Sequence, residues 1–496
     1  MSLINVDNLT FAYPGSYDNI FENVSFQIDT NWKLGFIGRN GRGKTTFLNL
    51  LLGKYEYNGS ISASVNFEYF PYIVADNTRN TIDIIEGVCA GVLHWELLRE
   101  LSLLDVPEDV LPRPFFTLSN GEQTKVLLAV LFLKENSFLL IDEPTNHLDI
   151  TARSIVSRYL KSKKGFILVS HDRAFLDGCI DHVLSINKAN IEIQRGNFSS
   201  WLINKERQDS FELAENERLK KEVKRLQKTV REKANWADAA ERKKVGVDPS
   251  ATDNRSMGKR PLQGAKSKKL MKKAKAIEKR REAAVEEKSG QLKNIENADR
   301  LKIAPLSYFT SRLAELADVS IYYGSKTACA GVSFTIEYGD RIALTGKNGS
   351  GKSSVLKLIR GEDMIYTGTL KKGSRLIVSY VSQDTSFLSG SLSDYALQNG
   401  IEESLFKATL RKLDFSRVQF EKDMRDFSGG QKKKVLLARS LCEKAHLYIW
   451  DEPLNYIDVI SRMQIEDMIL QFKPTILFVE HDSAFCGKIA TKEVRL

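Results

Sequence analysis

The chain has 496 residues, with 73 Lys and Arg against 63 Asp and Glu for a net charge of +10, and 42% hydrophobic residues; at about 150 residues per domain that is length for two to four domains with real cores. Its longest purely apolar run, Val126 to Leu133, is far short of the ~20 residues of a membrane-spanning helix, and the opening MSLINVDNLTFAY lacks the basic-then-apolar pattern of a secretory leader, which points to a cytoplasmic protein. The five cysteines, Cys89, Cys179, Cys329, Cys442 and Cys486, form no C-x-x-C pair, so they give no sign of zinc or dithiol chemistry and are expected to be reduced, packed thiols.

Lys33 to Ile37 reads as a short buried strand and Phe47 to Leu52 as a helix start, with Gly38-Arg-Asn-Gly-Arg-Gly-Lys44-Thr45 between them. G-x-x-x-x-G-K-[ST] in that setting is a phosphate-binding loop. Gly38, Gly41 and Gly43, with Asn40 and Thr46 in the same loop, let backbone N–H groups wrap phosphates at a helix N-terminus. Lys44 reaches the outer phosphates and the Thr45 hydroxyl can bind magnesium. Next comes Leu118-Ser119-Asn120-Gly121-Glu122-Gln123, a turn that leads into a helix from Gln123. The apolar run Phe138 to Ile141 reads as a buried parallel strand ending in Asp142 and Glu143, at the strand end where open α/β sheets bind ligands. Asp142 can hold magnesium, directly or through water, and Glu143 is placed to polarise an attacking water. His171, after another apolar run near the same sheet edge, can contact a γ-phosphate or position that water.

The middle of the chain changes character. Residues 204–300 hold 28 Lys and Arg against 17 Asp and Glu, and within them residues 241–281 hold 15 against 4, so the whole positive excess sits here. Leu219, Val223, Leu226, Val230 and Ala237 form a narrow helical seam, Leu270, Ala274, Ile277, Ala284 and Ile295 a looser one, and Gly246, Pro249, Gly258, Pro261 and Gly264 break the stretch between them. The expectation is a helical hairpin with an irregular tip, its arms of about 40 residues projecting roughly 60 Å. Charge concentrated on the tip and returning arm favours contact with RNA phosphates over a plain solvated spacer.

The second half repeats the first. Gly346-Lys-Asn-Gly-Ser-Gly-Lys352-Ser353 follows the strand Arg341 to Thr345 and opens a helix at Val355 to Ile359, giving Gly346, Asn348, Gly349, Gly351, Lys352, Ser353 and Ser354 the roles of the first loop. Phe427-Ser428-Gly-Gly430-Gln431, Trp450-Asp451-Glu452-Pro and Glu480-His481-Asp482 follow in the same order, each offset by 308 to 310 residues from its first-half match. Four motifs at one offset are a duplication.

This ordered set resembles the ATP-binding cassette superfamily, and two cassettes joined by a long charged linker resemble its F subfamily, the ribosome-associated ATPases; Glu-Pro-Thr-Asn-His-Leu-Asp at Glu143 to Asp149 is especially similar. The resemblance implies an α/β fold of two P-loop domains, residues 1–200 and 306–496, joined by a helical hairpin over 201–305. It also implies that ATP and Mg2+ lie in composite sites, ATP on Lys44 capped by Ser428, Gly430 and Gln431 and ATP on Lys352 capped by Ser119, Gly121 and Glu122. Tyr13 and Tyr323 stand where an aromatic stacks on adenine, and Glu143, Glu452, His171 and His481 take the catalytic places. Thr45, Asp142, Ser353, Gln383 and Asp451 take the metal places. If the subfamily resemblance holds, the hairpin enters the exit-tRNA site of the 70S ribosome toward the peptidyl-transferase centre, placing Lys243, Lys244, Arg255, Met257, Lys259 and Arg260 near 23S rRNA or the P-site tRNA. The long linker is similar to the Lsa-type resistance branch, which protects against lincosamides, streptogramin A and pleuromutilins; a housekeeping translation factor is the nearest rival, and an exporter's ATPase subunit a more distant one.

Three departures are visible. Where the second half has Tyr380-Val-Ser-Gln383, the first has Tyr69-Phe-Pro-Tyr72, and tyrosine cannot offer magnesium an amide carbonyl. Asn120 stands where the second copy has Gly429, and Asn455-Tyr-Ile-Asp458 stands against Asn146-His-Leu-Asp149. The two sites are therefore expected to hydrolyse at unequal rates. Spacings of 47 residues from Tyr72 to Ser119 and 45 from Gln383 to Ser428 leave no room for a large inserted arm, and the 15 residues after His481 none for a C-terminal extension.

Overall fold

The computed structural model describes residues 2–14, 19–146, 148–186, 191–212, single positions between 214 and 280, 300–324, 326–347 and 349–496. By their contacts, Met1–Trp201 and Ala298–Leu496 form one compact unit and Leu202–Asn297 another. Residues 198–212 are helical, and so are the described positions between 214 and 280. The hairpin tip, every residue of both apolar seams, and the tip residues Lys243, Lys244, Arg255, Met257, Lys259 and Arg260 lie outside the described residues, as does Asn348.

The first half contains β1 (Leu3–Phe11), β2 (Phe21–Asp29), β3 (Lys33–Ile37), β4 (Asn58–Ser62), β5 (Asn66–Phe70), β6 (Ser137–Asp142), β7 (Phe166–Val169), β8 (His182–Ile186) and β9 (Ile191–Arg195). An antiparallel sheet of order β2-β1-β4 faces a sheet of order β5-β6-β7-β3-β8-β9, which is parallel except for β9. The second half repeats this with β10 (Arg312–Tyr323), β11 (Lys326–Glu337), β12 (Arg341–Thr345), β13 (Ile365–Lys372), β14 (Val378–Val381), β15 (Leu447–Asp451), β16 (Ile476–Val479) and β17 (Lys492–Arg495), in orders β11-β10-β13 and β14-β15-β16-β12-β17. The parallel strands are covered on both faces, which is why β7 and β16 read as unbroken apolar runs, Phe-Ile-Leu-Val and Ile-Leu-Phe-Val, with every residue buried.

Two layers make each core. Between the sheets of the first half, Ile4, Val6 and Leu9 of β1 meet Leu34 and Phe36 of β3 around Phe47 of the helix Lys44–Leu51. On the other face of the second parallel sheet, Phe406, Leu436, Trp450, Ile465 and Phe478 pack together, and Leu301 and Ile303 join them, 2% and 4% exposed. The Leu306 N–H donates to Ala445 O at 2.8 Å, so the chain docks on this cassette before β10 begins.

The strands expected at Lys33 to Ile37 and Arg341 to Thr345 form with those bounds. Four helices start earlier than their apolar residues suggest. The loop lysines themselves open Lys44–Leu51 and Lys352–Arg360. The helices expected from Gln123 and Gln431 begin at Asn120 and Gly429, because Ser119 and Ser428 are their N-caps. In both, the serine hydroxyl accepts the N–H of residue 122 or 431 while that residue's side chain reaches back, a reciprocal capping box.

Candidate functional site

Each phosphate loop is a backbone cradle that only glycine permits at its last turn. Gly43 and Gly351 have φ of 95° and 89°. A Cβ on Gly43 would meet Ile20 Cγ2 at 2.5 Å, and one on Gly351 would meet Ala328 O at 2.7 Å. The lysines fold back across the loops: Lys44 Nζ donates to Gly38 O at 2.6 Å and Arg39 O at 3.2 Å, and Lys352 Nζ to Gly346 O and Lys347 O, both at 2.9 Å. Burial pulls both ammonium groups below the ordinary lysine range, although nearby carboxylates pull the other way. An anion at the loop would restore the charged form of each.

The carboxylates stand at the C-terminal ends of β6 and β15. Thr45 Oγ1 donates to Asp142 Oδ2 at 3.1 Å, and the Ser353 hydroxyl serves Asp451 in the same way. Burial raises both aspartates above the ordinary carboxylate range. Asp451 is 1% exposed and its buried Oδ1 has no hydrogen-bond partner. A buried oxygen beside a loop hydroxyl and left without a donor fits a divalent cation, as does the hard-oxygen character of the donor set.

The glutamates that follow are held in the left-handed region, φ 50° at Glu143 and 47° at Glu452, a conformation that is strained for this residue type. Here the two sites part company. Glu452 Oε2 accepts Gln383 Nε2 at 2.8 Å and Asn455 Nδ2 at 2.6 Å, and His481 Nε2 lies 3.5 Å from Oε1. Burial raises Glu452, but His481 and Gln383 outweigh it and the group sits below the usual range. Glu143 has His171 Nε2 at 3.3 Å, yet its buried Oε1 receives no hydrogen bond. Burial and the neighbouring Asp142 push it up to about 8. His171 is buried and held well below the usual imidazole range, so it is neutral.

The remaining partners come from across the seam. A cavity of 780 Å3 is lined by Lys352, Ser353, Ser354, Gly349, Gly351, Gln383, Glu452, His481 and Tyr323, and by Ser119, Gly121 and Glu122 of the first half. Its counterpart of 400 Å3 is lined by Asn40, Gly41, Lys44, Thr45, Asp142, Glu143 and His171, and by Ser428, Gly430 and Gln431 of the second half. Asn40 Nδ2 also donates to Tyr456 O at 2.7 Å across the seam. Gly38, Gly43 and Gly346 do not line the cavities. Thr46 and Ser354 instead hold the two tyrosines: Tyr13 OH lies 2.9 Å from Thr46 Oγ1, and Tyr323 OH 3.2 Å from Ser354 Oγ. Tyr323 borders its cavity, whereas Tyr13 packs edge-on against Phe11 and Tyr55 and does not line the other.

Strand register pairs the two departing segments as the sequence does, since Phe70 stands opposite Ile141 and Val381 opposite Trp450. Tyr72 does not line the Lys44 cavity. Tyr69, which no motif singles out, donates its hydroxyl to Asp142 Oδ2 at 3.1 Å. Lys433, 2% exposed, is likewise singled out by no motif. It donates to Ser382 O at 2.7 Å and Asp451 O at 3.1 Å, and burial lowers it to about 8; Thr124 takes its place in the first half. Among the described residues there is no cluster of His, Cys, Asp and Glu able to hold a metal by itself, and no helix is long and apolar enough to cross a membrane.

Fold and site together define a tandem P-loop nucleotide-binding protein. Residues 21–146 and 329–455 match the family model described as "ABC transporter". ATP-binding protein Uup of Buchnera aphidicola subsp. Schizaphis graminum is 27% identical over 99% of this chain and 80% of its own length, and ribosome protection protein VmlR of Bacillus subtilis is 28% identical over 97% and 85%. Among solved structures, the archaeal ribosome recycling factor aABCE1, in complex with stalk protein aP1, superposes with a TM-score of 0.63 at 18% identity, over 98% of this chain and 87% of that one. The chain belongs to the ATP-binding cassette family, in its F subfamily. Domains of this family bind and hydrolyse ATP, generally with magnesium.

Proposed function

We propose that this protein is an ATP-gated ribosome-binding factor of the cytoplasm. On this reading residues 1–200 and 306–496 are cassettes, and the basic hairpin over 201–305 enters the exit-tRNA site and approaches the peptidyl-transferase centre. There it protects translation from lincosamides, streptogramin A and pleuromutilins. The observation that carries the proposal is the shared lining of each cavity: a phosphate loop from one half faces the capping serine of the other, so nucleotide in the seam holds the halves together. The similarity to ribosome protection protein VmlR over nearly the whole chain supports the ribosomal partner, and the density of basic charge at 241–281 supports contact with rRNA and the P-site tRNA.

In each composite site the lysine, Lys44 or Lys352, leaves the loop carbonyls for the outer phosphates. Ser428 and Gly430, or Ser119 and Gly121, present a helix N-terminus to the γ-phosphate. Thr45 with Asp142, and Ser353 with Asp451 and Gln383, would hold magnesium, which supplies charge neutralisation on the β- and γ-phosphates. Glu143 or Glu452 takes a proton from the attacking water, and His171 or His481 fixes the geometry of that water and the departing phosphate. Loss of the γ-phosphate removes the group the two halves share, and the factor is released.

The test is sedimentation of the Glu143→Gln/Glu452→Gln double variant with 70S ribosomes in ATP and in ADP, with growth of expressing cells on lincomycin. ATP-dependent pelleting with raised tolerance in the parent chain is the expected result. Pelleting without tolerance would assign a general translation factor instead, and no pelleting in either nucleotide would end the ribosomal reading.

A further inference from the structure

The duplication is broken at one place beside the seam. Glu466, 0% exposed in the helix Val459–Phe472, takes Arg173 of the first half, whose Nη1 lies 3.2 Å from Oε2 and whose Nη2 bonds Oε1, and it also takes Lys488 Nζ at 3.0 Å. At the motif offsets of 309 and 310, the mates of Glu466, Arg173 and Lys488 are Ser157, Ser483 and Gly178. Two serines and a glycine thus stand where the other side has a carboxylate and two cations. The space is a cavity of 390 Å3, walled by Arg153, Ser157, Arg158, Lys161 and Phe175 of the first half and by His481 and Ser483 of the second.

The charge of this cavity is one-sided. Its acid, Asp172, already accepts Arg153 Nη1 at 2.9 Å and the Phe175 N–H at 3.0 Å. Arg153 is held in addition by Leu148 O, Thr145 O and His481 O. Arg158 and the Lys161 ammonium, both exposed, have no acidic partner among the described residues. The Ser157 hydroxyl already donates to Phe175 O at 3.4 Å, but a guanidinium fork, an ammonium and the Ser483 hydroxyl are still more donors than a single carboxylate can use, and they suit the oxygens of a phosphate group.

We propose that this cavity binds a small phosphate-bearing effector, which restores across this side of the seam the bridge that Glu466 makes on the other. Because the wall includes His481 and the Arg153 that holds its carbonyl, occupancy couples to the composite site on Lys352. The proposal stands apart from the ribosomal reading.

It is tested on the full-length Glu143→Gln/Glu452→Gln chain in excess ATP and magnesium, so that the phosphate loops are filled, by calorimetric titration with inorganic pyrophosphate. Saturable one-to-one binding is expected, weakened at least tenfold both in an added Arg158→Glu/Lys161→Glu pair and in an added Ser157→Glu/Ser483→Arg pair. The second pair keeps both cations but fills the space with the ion pair that the other side of the seam already accommodates. No saturable binding to the parent, equal binding by all three proteins, or a loss confined to the charge-reversal pair would overturn the proposal, the last by assigning pyrophosphate to exposed charge and not to the cavity. Capture of a short oligoribonucleotide where pyrophosphate fails would likewise replace the small effector with RNA. Melting curves of each variant separate loss of the site from loss of the fold.

Discussion

At the scale of single residues, the two glutamates after the carboxylate strands occupy the same backbone position but different electrostatic ones. Glu452 is anchored by Gln383 and Asn455; Glu143 has a buried oxygen with no donor and is pushed up to about 8. A carboxyl whose folded pKa is raised contributes stability that is complete below its unfolded value, near 4.5, and is lost as pH rises toward 8. Glu143→Gln removes that loss. Melting of the nucleotide-free variant is therefore expected to match the parent near pH 5 and to exceed it by roughly 4 °C near pH 8, whereas Glu452→Gln shows no such gain, its stabilisation being lost on acidification instead. Curves that stay parallel from pH 5 to 8 would mean that Glu143 is not protonated in the resting protein. The same asymmetry sets a kinetic expectation. Gln383→Ala lowers ATPase kcat by about tenfold, while Tyr72→Ala, away from the Lys44 cavity, changes it by less than twofold. Equal losses would place Tyr72 in the magnesium shell after all.

At the scale of elements, the seam is held by contacts that belong to neither cassette alone. Arg173 opens the helix Arg173–Cys179 and reaches Glu466 in the opposite half. Arg173→Ala leaves a wholly buried carboxylate with only the half-exposed Lys488, a loss of about 2 kcal/mol, less than the full cost of breaking a buried pair because one cation remains. The expected outcome is a lower melting temperature and a higher KM for ATP, since closure must then bring an underpaired charge into the seam; an unchanged KM would confine the pair to stability. This contact marks the boundary of what the chain's order of residues discloses. The phosphate loops, the strands beside them, the capping serines and the Asp-Glu ends were all legible, because each rests on local chemistry with a fixed spacing. Tyr69 on Asp142, Lys433 behind Asp451 and Asn40 on Tyr456 were not, because each joins residues that only the β5-β6 pairing, the buried face of a helix or the seam itself brings together. The helices begin ahead of their apolar residues for a related reason: apolar periodicity begins where burial begins, but the helix begins at its cap.

At the scale of the whole molecule, excess charge and the segments that match the ATP-binding cassette family occupy different parts of the chain. Residues outside 204–300 carry 45 Lys and Arg against 46 Asp and Glu, so the cassettes are close to neutral and the entire excess belongs to the segment between them. A polyanion held by that segment releases condensed counterions in proportion to the phosphates that its cations neutralise, and the logarithm of affinity falls linearly with the logarithm of salt. Replacing Lys243, Lys244, Arg255, Lys259 and Arg260 by Ala in the Glu143→Gln/Glu452→Gln background is therefore expected to flatten that slope for ribosome binding in ATP by about 3 and to weaken binding roughly 100-fold at physiological salt. In the parent background the same five changes are expected to leave ribosome-free ATPase within about twofold, since none of the five belongs to the phosphate-loop, signature, Asp-Glu or histidine motifs. The two readouts must separate. A slope that does not move would show that these charges meet no phosphate, and a parallel loss of ATPase would show that the segment acts on cassette closure, in which case its basic residues serve the enzyme before they serve any RNA.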